Sequence, residues 1–165
     1  MPSNQTKAVA LGGVLAAVAV VIMCLGGMIP IATYVCPMLC TITLFIVLRF
    51  CQKRIAWTWF CVVSVLSLLL GPDKEAVIVF IAIGYYPLVK DIIEKSKFRF
   101  VWKLIFSNGA ISFAYAVMIY LLGMQELAQE NMELGLIGLA VILLLGNIAF
   151  FLLDRFLGII AGKLR

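Results

Sequence analysis

In the stretch GPDKEA the chain sets Asp73, Lys74 and Glu75 side by side, then runs from Ala76 to Val89 without another charge. Two carboxylates around one ammonium, at the head of an apolar run, are suited to drawing in a cation or an amine. They are equally suited to capping a helix, because the dipole at a helix N-terminus favours acids in its first turn. Cys36 and Cys40 stand one helical turn apart among Met23, Cys24, Met28 and Met38. Soft sulfur ligands of this kind suit Cu(I), but Cys is also a small apolar filler, and no metal site is expected. The chain has no His, which removes Ser–His and Cys–His pairs and the HExxH metalloprotease site. The tail GIIAGKLR has three residues between its glycines and Leu164 after its Lys. A phosphate loop needs four, and Ser or Thr in that last place. No cofactor is expected, and the chain does not read as an enzyme.

Polar residues inside apolar runs are costly in a membrane and mark candidate sites. Thr41, Thr43, Ser64, Ser67, Ser112, Tyr115 and Tyr120 lie in such runs, with Thr33 and Tyr34 just ahead of one. The candidate ligand set is therefore Thr33, Tyr34, Thr41, Ser67, Asp73, Glu75, Ser112 and Tyr115. Asn108 and Asn147 fall at similar depth and are expected to bond each other across helices.

The elements that must position these residues are membrane crossings. The chain is 65% hydrophobic and 13% charged, with mean hydropathy +1.17, against about a quarter charged in soluble domains. A crossing needs about 20 apolar residues, and six candidates appear at 8–29, 37–50, 55–70, 72–89, 104–122 and 134–161. The second and third are short. The fold class is all-α, a polytopic helical bundle in a single transmembrane domain over 1–165. The first run is too long for a cleavable signal core. Gly26–Pro37, rich in Gly and Pro and free of charge, is expected to be a loop folded over the bundle as a lid or a tight connection. Pro87 is expected to bend or end the fourth helix.

With six crossings, 12 of the 13 basic residues fall on one side and Lys74 alone on the other, together with five of the eight acids. Lys and Arg bias in short loops marks the cytoplasmic side. Both termini are then cytoplasmic, and Asp73 to Glu75 face out. This placement points to a membrane, not nucleic acid, as the partner of the net +5 charge. The segment KDIIEKSKFRFVWK, Lys90 to Lys103, mixes five basic with three bulky aromatic residues, a composition that lies on anionic membrane lipid.

The first crossing carries small residues at four-residue spacing, Ala8, Gly12 and Ala16, extended by Gly13 and Ala17. Such a face lets helices approach closely in lipid. With TKAVALGGVLAAVAVVI opening the first of six crossings and both ends inside, the chain resembles the substrate-binding S-components of energy-coupling factor transporters. That resemblance implies a bacterial inner-membrane protein that captures a vitamin-like small molecule from outside. It also implies docking of Ala8, Gly12, Gly13, Ala16 and Ala17 on a transmembrane coupling subunit driven by ATPases, and a lid over Gly26–Pro37. The alternatives are a non-transporting membrane scaffold and a soft-metal permease.

Overall fold

The structure is a computed structural model that describes residues 4–26, 32–120, 123 and 125–163, side chains excepted for residues 4, 5, 125–137 and 139. Every regular element among them is helical: α1 (Asn4–Gly26), α2 (Ala32–Phe50), α3 (Lys53–Leu70), α4 (Lys74–Ile83), α5 (Tyr86–Glu94), α6 (Arg99–Tyr120) and α7 (Gln125–Lys163). Among the described residues six spans are long and apolar enough to cross a membrane, α4 and α5 together making one, which marks a multi-pass membrane protein.

Three boundaries differ from the sequence expectation. Residues 32–37 of the expected lid are helical, so α2 has 19 residues with Pro37 inside it. Residues 27–31 lie outside the described set. At 1.5 Å per residue, α2 measures about 28 Å, enough to cross a hydrocarbon core of about 30 Å. In the sequence Pro reads as a breaker, yet membrane helices tolerate it because neighbouring groups and Ser or Thr side chains re-satisfy the freed backbone. Second, the extra length of the last helix sits at its N-terminal, acid-bearing end, where α7 starts at Gln125 instead of 134.

Third, the fourth crossing is broken. Pro87 has no N–H to offer Ile83, and its ring would collide with that carbonyl in a continuous helix. The chain therefore leaves the helix at Gly84, turns, and re-enters as α5, whose first turn accommodates Pro87 without a lost donor. The amide of Gly84 donates to the Phe80 carbonyl at 2.6 Å, and that of Leu88 donates to Tyr85 at 3.0 Å. The turn is so close that a Cβ on Gly84 would lie 2.4 Å from the Phe80 oxygen.

The chain forms two compact units, Met1–Ile92 and Ile93–Arg165. In the first, α1 packs on α2 and α3, and α2 packs on α4. Its core runs through Met23, Cys40, Leu44, Val47, Trp59, Val63, Val77, Phe80 and Leu88. Phe60 bridges to Phe80 and Tyr85 with centroids at 5.5 and 6.0 Å.

The second unit is the antiparallel pair α6 and α7. Lys103 binds Asp154 at 2.6 Å and lies 3.6 Å from Glu94. Further along the pair, Asn147 donates to Asn108 Oδ1 at 2.9 Å, as its depth in the sequence predicts, and to the Leu143 carbonyl at 2.8 Å. Ile111 closes over Gly146, where a Cβ would meet its Cδ1 at 2.5 Å. Phe106 meets Phe150 between these rungs at 5.8 Å, and Phe100, one turn before Lys103, stacks on Phe151 at 5.5 Å.

Gly84→Ala should lower stability by about 1–3 kcal/mol, since an atom is forced against fixed backbone. Gly109→Ala, where nothing lies within 4 Å, should be neutral or gain up to about 1 kcal/mol from helix propensity. Thermal unfolding of the two variants in detergent checks both.

Candidate functional site

Asp73 is the N-cap of α4, and its Oδ1 accepts the amide of Ala76 at 3.1 Å. Its second oxygen, Oδ2, accepts the hydroxyl of Thr33 at 2.7 Å. Two residues on, Glu75 Oε1 accepts the hydroxyl of Tyr34 at 2.9 Å. Thr33 and Tyr34 are the second and third residues of α2. Consecutive hydroxyls thus meet alternate carboxylates and tie the start of α2 to the start of α4. The topology permits this because α3 returns the chain to the end where α2 began.

Lys74, between the two acids, turns away from them. Its Nζ donates to the carbonyls of Leu68 at 2.6 Å and Gly71 at 2.9 Å. The last carbonyls of a helix have no partner within it, and a cation there is favoured by the dipole. The triplet therefore closes two helix ends at once, as capping requires, and leaves each acid bonded to a hydroxyl of α2.

Beneath this latch, α3 buries three polar atoms without a hydrogen-bond partner: Ser67 Oγ, Ser64 Oγ and Trp59 Nε1. Ser67 lies one turn from the end of α3, at the same end of the unit as the latch, and Ser64 about 4.5 Å deeper by helix rise. An unsatisfied buried hydroxyl costs about 1–3 kcal/mol, so an entering polar group that bonded to it would recover that cost. Ser64 and Ser67 stand out in the sequence as hydroxyls in an apolar run. Trp59 does not, and its only signal is the four-residue spacing Trp59, Val63, Ser67 along one face.

The other candidates separate. Thr41 is buried but spends its hydroxyl on the Pro37 carbonyl of its own helix at 2.8 Å. Thr43 does the same with Leu39 at 2.9 Å. Ser112 is exposed and Tyr115 half-buried, both on α6 in the second unit. The sulfur cluster packs: the Cys40 thiol donates to the Ala19 carbonyl at 3.4 Å. Cys36 Sγ fills the space over Gly26, 3.3 Å from where a Cβ would stand. Among the described residues no three His, Cys, Asp or Glu side chains come together to hold a metal.

The small residues of α1 divide between two faces. Gly12 is buried, with Ile55 of α3 3.5 Å from where its Cβ would be, and Ala16 packs on the core. Ala8 is half-buried, and its carbonyl accepts the Cys51 thiol at 3.3 Å. Burial pushes that thiol's pKa up, which keeps it a donor. Gly13 and Ala17 face outward, Gly13 with nothing within 4 Å.

Compared with known protein families, curated proteins and solved structures, the chain matches none.

A double-mutant cycle on Thr33→Val and Asp73→Asn should give a coupling of about 1–3 kcal/mol, as for a half-buried hydrogen bond to a charged group. The exposed Tyr34–Glu75 pair, tested with Tyr34→Phe and Glu75→Gln, should give under about 1 kcal/mol. Unfolding midpoints of the single and double variants provide both values.

Proposed function

We propose that the chain is the substrate-capturing membrane subunit of an uptake system for a small, vitamin-like molecule. The observation that carries this reading is the latch of Thr33 on Asp73 and Tyr34 on Glu75, with unpartnered buried hydroxyls on α3 below it. A ligand bearing an amine or another donor competes with Thr33 and Tyr34 for the carboxylates, loosens the start of α2, and gains Ser67 and then Ser64 as partners. Acidic side chains at the mouth raise the local concentration of cations, which favours a cationic ligand.

In this proposal the latch end faces the outside of a bacterial inner membrane, and both termini are cytoplasmic, as the distribution of Lys and Arg implies. Energy comes from a transmembrane coupling subunit with ATPases, as the resemblance to S-components suggests. Gly13 and Ala17 are the docking positions left open on α1. Gly12 and Ala16 serve the unit's own packing. A membrane scaffold is the second reading, and the open apolar face of α1, with Val9, Val14, Val18 and Val21 exposed, supports it equally.

Thermal unfolding in detergent with a panel of vitamins and amines separates the two. A binding subunit gains about 2.7 kcal/mol at a hundredfold excess of ligand over its Kd, and Asp73→Asn with Glu75→Gln should abolish the gain. No response to any compound supports the scaffold.

Orientation has its own check, with single cysteines in a background lacking the five native ones. A cysteine at position 74 should react with an impermeant maleimide in intact cells, and one at position 163 only after permeabilisation. The reverse pattern inverts the proposal.

A further inference from the structure

The second unit carries a feature that the capture proposal does not use. An open groove of about 520 Å³ runs along α7. Two ridges at four-residue spacing form it: Leu144, Ile148 and Leu152, beside Asn147, Phe151 and Arg155, with Leu104 of α6 completing the wall. From Leu144 to Arg155 is about 16 Å of helix rise, close to half of a hydrocarbon core of about 30 Å. The groove is therefore one leaflet deep.

Its two ends differ. At the deep end the amide protons of Asn147 go to Asn108 Oδ1 and the Leu143 carbonyl, and its own Oδ1 is buried without a partner, so the surface open to an occupant there is the apolar flank of Leu144 and Ile148. At the other end Arg155 is exposed. Its neighbour Asp154 is committed to Lys103 at 2.6 Å, and Arg155 makes no ion pair among the described residues. The groove thus carries a single charge, a guanidinium, at the level where a headgroup sits when its acyl chain lies along Leu152, Ile148 and Leu144.

We infer that this groove is a binding site for one anionic phospholipid, its phosphate on Arg155 and one acyl chain between the two ridges of α7. Guanidinium and phosphate form paired, charge-assisted hydrogen bonds, and the net charge of the site discriminates against zwitterionic headgroups. Such a lipid covers apolar surface that the α6–α7 pair leaves open.

The test is native mass spectrometry of the full chain, released from micelles doped with equal phosphatidylglycerol and phosphatidylcholine of matched chains. The wild type should retain phosphatidylglycerol in preference, and Arg155→Ala should reduce that preference about fivefold to tenfold, the loss of one charge-assisted contact. Arg155→Lys should restore most of it. Ile148→Trp should lower retention of both lipids by filling the groove. Lys163→Ala, basic and exposed at the same helix end but outside the groove, should change neither. The inference is overturned if Arg155→Ala keeps the preference, if Lys163→Ala weakens it as much, or if Ile148→Trp retains lipid as the wild type does. Circular dichroism and elution volume confirm that each variant is folded.

Discussion

Hydrocarbon supplies no hydrogen bonds, so every backbone amide and carbonyl within it must be satisfied by the chain itself. That constraint explains why the described elements are helices and why the departures from regularity sit where they do. Of these, the break at Gly84 is the most demanding, since it falls inside a span. The structure meets it by drawing the Gly84 amide onto Phe80 and the Leu88 amide onto Tyr85, and by packing Phe60 on the Phe80 and Tyr85 rings that flank the turn. A side chain at position 84 has no room because the repair is made by close approach.

The same scarcity of partners governs the side chains. Polar groups in the two units have three fates. Thr41 and Thr43 fold back on their own helices, which costs nothing in tertiary specificity. Asn108 and Asn147, with Lys103 and Asp154, bond across helices and fix the antiparallel register of α6 and α7 at two levels. Ser64, Ser67 and Trp59 of α3 do neither, and nor does Ser107 of α6. In an apolar environment an idle donor is an energetic loss retained in the fold, and α3 carries three of these four donors.

Much of the architecture is legible in the sequence because membrane crossings are written in runs of apolar residues, a signal stronger than any helical period in a soluble protein. Six spans follow from it, and the Asn108–Asn147 bond follows from their depth. Boundaries set by Pro are less legible. Pro37 sits inside α2 and Pro87 opens α5, although both have the same local chemistry, because the outcome depends on what neighbouring helices offer the freed carbonyl. Pairings between elements are also hidden: Thr33, Tyr34, Asp73 and Glu75 can be chosen as polar residues near one end, but about forty intervening residues must return before hydroxyl meets carboxylate. The groove of α7 shows the opposite difficulty. Its two ridges are plain in the spacing once the groove is known, yet ridges at four-residue spacing occur on any helix, and only the antiparallel partner shows which ones stay open.

The latch shows how capping by Asp73 is compatible with a second contact from the same side chain. The carboxylate has two oxygens and divides the roles between them, with Oδ1 holding the Ala76 amide and Oδ2 the Thr33 hydroxyl. The cap stabilises α4 from within its own first turn and does not depend on α2. In the capture proposal a competitor for Oδ2 displaces Thr33 without unravelling α4, and Lys74 stays anchored on the carbonyls of α3. Of the elements meeting at this end, α2 is tied there by two side-chain hydroxyls, whereas α3 and α4 are held by charge-assisted contacts to backbone. On the proposed function, the start of α2 is then the element that moves first when a ligand takes the carboxylates.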